Sequence, residues 1–236
     1  MARAGVIVVA AGKGTRMGTA ESKQYLQLRG KPILVHTLQK FQRIAAVEAI
    51  VLVTGSGDLE RCRDYIGQYA LTKVAAVVAG GAERQHSVRI GLDHLPDGIE
   101  VAAVHDGVRP LVAESSVTAC LRKAEEAGGA VLAVPVKDTI KVVDRSGRIE
   151  STPDRRSLWA VQTPQAFQLE LLRQAHEQAE RDGFLGTDEA MLVERLGHPV
   201  HVVEGTYTNI KITTPDDLTW AERLLELEQP NGGDGT

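Results

Sequence analysis

Cysteine is scarce: Cys62 and Cys120 are the only two in 236 residues. They lie far apart and form neither a metal-ligand pair nor a disulfide framework, which leaves them as buried, reduced thiols. Long apolar runs are missing as well. None approaches the ~20 residues needed to cross a bilayer, and this argues against a membrane-spanning role. The first apolar run starts a few residues after Met1, where a signal or transit peptide would have to fit, so the expected location is the cytoplasm. Positive charge is not in excess either: 27 Lys and Arg stand against 31 Asp and Glu, a net charge of −4, with a pI near 6.0. A nucleic-acid-binding face lifts the pI well above neutrality, so broad nucleic-acid binding is excluded while local basic clusters for small anions are not. There is no internal repeat.

What is present is ordinary for a globular protein, with 43% hydrophobic and 25% charged residues. The length suits one sizeable core, and a single domain is expected over 1–228, with a flexible tail at the Gly- and Asp-rich 229–236. Apolar runs at 5–11, 49–54, 74–79, 101–105 and 130–136 read as strands buried on both faces, which suits a parallel sheet covered by helices. Amphipathic segments at 32–44, 59–66, 83–92 and 114–127 alternate with them, and the last stops at Gly128-Gly129. The alternation predicts a right-handed, mostly parallel α/β fold.

The pattern changes after Val136. Segments 137–143 and 149–158, joined by Asp144-Arg145-Ser146-Gly147-Arg148, read as an extended polar hairpin. An isolated two-stranded ribbon is marginal in water, so this arm must pack outside its own layer, and a second subunit is the natural candidate. Beyond it the sequence predicts helices at 168–181 and 187–196, strands at 200–203 and 209–212, and a closing helix at 214–227 opened by Thr214-Pro215-Asp216-Asp217.

The first strand ends in Ala10-Ala11-Gly12-Lys13-Gly14-Thr15-Arg16-Met17-Gly18, followed by Lys23-Gln24. Small residues leave backbone N–H groups bare for a phosphate or a base edge, and Arg16 and Lys23 supply the charge to neutralise a polyphosphate. Gly12, Gly14 and Gly18 do not make a dinucleotide fingerprint. A polar stretch runs from Thr15 to Lys31 where a helix should open, and Val51-Leu52-Val53-Thr54 carries no carboxylate for a ribose. The Walker-type phosphate loop is excluded too, because its Gly-Lys-Ser/Thr string cannot be drawn through Gly12-Lys13-Gly14-Thr15.

Farther along come Gly80-Gly81-Ala82-Glu83-Arg84-Gln85-His86-Ser87-Val88, Val104-His105-Asp106-Gly107-Val108-Arg109-Pro110, Pro135-Val136-Lys137-Asp138-Thr139-Ile140-Lys141, Asp154-Arg155, Gln162-Thr163-Pro164-Gln165, Thr187-Asp188-Glu189 and Asn209-Ile210-Lys211. In this order, spanning nearly the whole chain, the strings resemble the 2-C-methyl-D-erythritol 4-phosphate cytidylyltransferases of the non-mevalonate isoprenoid pathway. The resemblance implies a Rossmann-like α/β fold, a homodimer joined through the arm, and transfer of CMP from CTP to 2-C-methyl-D-erythritol 4-phosphate with Mg²⁺. Two positions depart from the family pattern: Val9 stands where proline is usual, and Ala82 where an acid often contacts the ribose.

The resemblance also implies roles. Arg16, Lys23 and Lys211 would stabilise charge on the reacting phosphate. Backbone at Ala10, Ala11, Gly12, Gly14, Gly81 and Ala82, with the Ser87 hydroxyl, would hold the nucleotide. Asp106 would bind metal or acceptor; Arg109, Thr163 and Thr187 would contact the acceptor. Arg155 would grip and aim the acceptor phosphate beside Thr139, both contributed by the partner subunit. Two alternatives stay open on the sequence: a cytidylyltransferase for another polyol phosphate such as ribitol 5-phosphate, and a nucleotide-binding protein without turnover.

Overall fold

The computed structural model describes residues 2–12 and 21–228. Its centre is a seven-stranded sheet in the order β11-β7-β10-β6-β1-β4-β5, built from β1 (Ala4–Ala10), β4 (Val47–Thr54), β5 (Val74–Ala79), β6 (Val101–Asp106), β7 (Gly129–Pro135), β10 (Trp159–Gln168) and β11 (His201–Glu204). Two small pairs lie outside it: β2 (Gln27–Leu28) with β3 (Lys31–Pro32), and β8 (Val142–Val143) with β9 (Ile149–Ser151). β1 runs parallel to β4 and β6, and β10 runs antiparallel to both β6 and β7. The fold is therefore Rossmann-like α/β, with one reversed strand in an otherwise parallel sheet.

The covering helices follow from the period-two alternation of the strands. Val6 and Val8 of β1 point into a layer formed by α1 (Ile33–Arg43), α2 (Leu59–Gln68) and α4 (Glu114–Ala127). Ile7 points the opposite way, into α3 (Arg84–Asp93), α5 (Leu169–Arg181) and α6 (Glu189–Arg195). A third cluster seats α7 (Pro215–Glu228) through Ala221 and Leu224 against Leu28, Ile33 and Leu111. Cys62 and Cys120 are both fully buried free thiols, as their scarcity implied. No helix among the described residues is long and apolar enough to cross a membrane.

Three expectations need correction. β10 is a ten-residue strand in the middle of the sheet, whereas the sequence points to an arm strand over 149–158 and then a helix from Gln168. Proline and three polar residues in Gln162-Thr163-Pro164-Gln165 disguise it, since proline within a run argues against a central strand. The sheet accommodates them by a register break between Val161 and Gln165, with a cis Thr163–Pro164 bond inside it. The outer arm strand is correspondingly short, ending at Ser151. Finally, 209–212 is not a strand but an irregular segment after a turn at 207–208: the Asn209 amide N–H donates to Thr206, that of Ile210 to Thr208, and that of Ile212 to Val108.

Candidate active site

The chain moves from β1 to β4 and β5 on one side, and places β6 on the other. Such a switch leaves a crevice at the carboxyl ends of the strands. Here it is an open cleft of about 210 Å³, whose walls include Ala10, Ala11, Gly12, Lys23, Gly81, Ala82, Ser87, Asp106 and Lys211. Val9, Gln24, Glu83, Arg84 and Val108 complete it. Residues separated by up to two hundred positions thus meet at one edge. Arg16 and Gly14 fall outside the described residues.

At the end of β1, the buried Gln24 side chain donates to the Ala10 carbonyl at 2.8 Å, so the short helical turn at Lys23–Tyr25 is tied to the strand it follows. Opposite, the Ser87 hydroxyl donates to the Glu83 carbonyl and accepts the Gly81 N–H, each at 3.1 Å. That clasp brings the backbone close: a Cβ at Gly80 would lie 2.6 Å from the Ala11 Cβ and 2.7 Å from the Ser87 Oγ. Only glycine fits between them. The strand end and the start of α3 then present their backbone side by side.

Asp106, at the tip of β6, is 7% exposed. Its Oδ2 accepts from Arg109 Nε at 3.2 Å and lies 3.1 Å from Lys211 Nζ. Burial pushes this carboxyl up, but Lys211, Arg109 and Arg84 outweigh burial and hold it well below the usual carboxylate range. It is ionised at neutral pH. Arg109 also donates to the Asn209 carbonyl at 2.7 Å, which carries the segment before Lys211 to the cleft.

Beneath Asp106 lies a chain of hydrogen bonds that the sequence did not reveal. The Asp106 N–H donates to Thr163 Oγ1 at 3.1 Å, and Thr163 Oγ1 is 3.0 Å from His105 Nδ1. His105 Nε2 is 3.1 Å from the Arg109 carbonyl, to which it must donate. Thr163 therefore donates to Nδ1 while accepting from Asp106. Burial drives the His105 pKa down to about 4, keeping the ring neutral and suited to this arrangement. Asn209 joins the same network, its Nδ2 donating to Gln162 Oε1 and the Thr163 carbonyl. Thr163 is 4% exposed, so the structure gives its hydroxyl a place under the carboxylate.

Arg84 is a further cleft residue, one to which the sequence pattern assigns no role. Its guanidinium pairs with both oxygens of the buried Glu189 at 2.7 and 2.9 Å. Gln165 holds the start of α6: its Oε1 accepts the N–H groups of Glu189 and Ala190, and its Nε2 donates to Asp188. The signal for Arg84 was its position as the first residue of a helix in a motif already singled out. Thr187, just before α6, is exposed and donates to Met191 Sδ at 3.8 Å.

Arg155 and Thr139 do not reach this cleft. Both are exposed on the arm, where the Arg155 guanidinium donates to the Lys137 carbonyl at 2.5 Å.

The family model described as 2-C-methyl-D-erythritol 4-phosphate cytidylyltransferase matches residues 4–227. A protein of that name from Bacillus velezensis is 51% identical over 227 residues, covering 96% of this chain and 97% of its own. One from Alkaliphilus metalliredigens is 49% identical over 221 residues, 93% of this chain and 92% of its own. Among solved structures, the 4-diphosphocytidyl-2C-methyl-D-erythritol synthase of Anaerococcus prevotii superposes with a TM-score of 0.83 at 31% identity, covering 95% of this chain and 96% of that one. On a match that extends from the first strand to the last helix, this chain belongs to the 2-C-methyl-D-erythritol 4-phosphate cytidylyltransferase family.

Proposed function

We infer that this chain transfers CMP from CTP to 2-C-methyl-D-erythritol 4-phosphate, giving 4-diphosphocytidyl-2-C-methyl-D-erythritol and pyrophosphate. The family match over 4–227 carries this reading, and the cationic cleft supports it. An acceptor phosphate oxygen attacks the α-phosphorus of CTP, the new P–O bond forms, and the bond to the bridging oxygen of the β-phosphate breaks. Two polyanions must be brought together, so the work is alignment and stabilisation of charge. Lys23 and Lys211 line the cleft for that purpose, with Arg16 proposed beside them. Backbone at Ala10, Ala11, Gly12 and Gly81 and the Ser87 clasp form the wall proposed for cytosine and ribose, where a wrong base leaves a buried group unpaired.

Asp106 and Arg109 form the proposed acceptor side, with Thr187 at the rim. Mg²⁺ is the proposed cofactor. Among the described residues no group of three or more His, Cys, Asp or Glu side chains is gathered. Both cationic contacts of Asp106 fall on Oδ2, and a single carboxylate fits an ion held mainly by phosphate oxygens. When bound, the ion neutralises triphosphate charge.

Residues 1–228 are read as one nucleotidyltransferase domain acting as a homodimer through the 137–158 arm. What supports the dimer is the arm's apolar surface: Ile140, Val142, Val143 and Ile149 are 40, 43, 53 and 56% exposed. In the dimer Arg155 and Thr139 would enter the partner's cleft. Pyrophosphate release from CTP, measured in parallel with 2-C-methyl-D-erythritol 4-phosphate and ribitol 5-phosphate, tests the assignment. Turnover with the first is expected; turnover with ribitol 5-phosphate alone would reject it.

A further inference from the structure

Lys23 enters the cleft from a slender support. Its helical turn spans only Lys23–Tyr25, and the Ser22 side chain before it makes no capping hydrogen bond. A lysine ammonium on a flexible four-carbon stem has many places to go, so aiming it at one phosphate requires a fixed backbone beneath it. On the inner side Gln24 is tied to the Ala10 carbonyl. The buried Tyr25 places its hydroxyl 2.7 Å from Thr54 Oγ1 at the end of β4. The outer side is held from α2, by Arg61.

Arg61 makes two contacts at once. Its Nη1 and Nη2 donate to the two carboxylate oxygens of Glu21 at 2.8 and 3.0 Å, and its guanidinium lies over the Tyr25 ring, 4.5 Å from the centroid. Glu21 is two positions before Lys23 and Tyr25 two positions after it. One rigid plane therefore grips both ends of the segment whose middle is Lys23. The hydrogen bonds from Arg61 hold the Glu21 carboxyl below the usual carboxylate range, so the pair is charged at neutral pH. Neither Arg61 nor Glu21 is among the described residues that line the cleft. The two side chains are 39 and 42% exposed, and a solvated pair adds little to global stability. Removing it loosens the segment and leaves the fold standing.

We propose that Arg61 is a positioning residue for the transfer reaction: by clamping Glu21 and Tyr25 together it fixes the turn between them and sets where the Lys23 ammonium stands in the cleft. It touches neither substrate nor reacting atoms, and acts through Lys23 alone. The effect on turnover rests on the role proposed for Lys23; the effect on the placement of Lys23 does not.

The test compares Arg61→Met, which keeps a stem over Tyr25 and removes the fork, with Glu21→Gln and with the double variant, by pyrophosphate release from CTP and 2-C-methyl-D-erythritol 4-phosphate. Each single variant is expected to lower kcat about tenfold, part of the roughly hundredfold loss that a misplacement of one ångström brings. The double variant should lie within about twofold of the singles, because the two side chains act as one clamp. CTP dissociation constants from calorimetry should stay within about twofold of the parent's, with urea midpoints close to it. In a Lys23→Met background, Arg61→Met should cost less than about twofold. A parent-like kcat in Arg61→Met would overturn the proposal, and so would the same tenfold loss in the Lys23→Met background or a tenfold weaker CTP constant. Placement is read without turnover by NMR of the full chain with isotope-labelled lysine, the Lys23 side-chain signal being identified by its absence in Lys23→Met. In Arg61→Met that signal should move toward those of exposed lysines, and an unmoved signal would overturn the proposal. If the parent releases no pyrophosphate, the functional reading fails, and the NMR comparison still decides the clamp.

Discussion

In the cleft, Asp106 is held by Arg109 and Lys211 from the side and by Thr163 from below, all from its own chain. On the arm, Arg155 and Thr139 are exposed, and among the described residues no layer covers the arm's apolar side chains. The contrast shows what it takes to aim a side chain. A carboxylate held by two cations, on a residue whose own N–H is fixed by a buried threonine, has one orientation available. A long side chain on a two-stranded ribbon has many, and choosing one requires a second surface. The cleft is therefore organised within the chain, whereas the arm is organised by what it packs on, which we propose to be another subunit.

The sharpest probe of the cleft is charge removal. Lys23→Met and Lys211→Met are each expected to lower kcat by roughly 10²–10³, about 3–4 kcal/mol, with CTP binding measured separately by calorimetry. A parent-like kcat in Lys23→Met would remove that lysine from the mechanism. On the arm, Arg155→Ala should cost about 10- to 100-fold in kcat/KM, the scale of one charge-assisted phosphate contact. Mixing and re-equilibrating the impaired Arg155→Ala and Lys23→Met proteins should raise activity above that of either alone, because a mixed dimer would hold one intact shared site. No recovery would mean that each chain uses its own Arg155.

Thr163→Val leaves the Asp106 N–H and His105 Nδ1 without partners, at about 1–3 kcal/mol for each group. A drop in urea midpoint is expected, with most of it restored in Thr163→Ser. Acid also separates the regions. His176 has its pKa lowered to about 4 by burial, so between the unperturbed value near 6.5 and that value the unfolded chain binds a proton that the native chain does not. Stability is then lost as pH falls through this window, by up to about 3 kcal/mol for this group, and returns above it. Urea midpoints at pH 7 and pH 5, compared with those of His176→Phe, measure it. The smallest intrachain effect belongs to the arm: Val143→Asp with Ile149→Asp should change monomer stability by about 0.5 kcal/mol or less, yet weaken self-association in analytical ultracentrifugation.

Much of the fold was legible because it depends on local pattern. Continuous apolar runs such as Val6-Ile7-Val8-Val9 became parallel strands, and the helices between them fell within a few residues of their expected bounds. β10 was not legible, because Gln162, Thr163 and Gln165 read as loop chemistry. Their partners, Asn209, His105 and the start of α6, lie 23 to 58 positions away in the chain. The same distance hid the role of Arg84, whose partner Glu189 is 105 residues on.

The sequence alone determined the α/β alternation, the glycine-lined strand end and the stock of cations and carboxylates, since each is a property of neighbours along the chain. Tertiary structure decided which of them meet. It put Lys23, Asp106 and Lys211 around one cleft, sank Thr163 beneath the carboxylate, and left Arg155 outside. Hydrogen bonds and charges act over a few ångströms in space, and that proximity is created by packing the sheet.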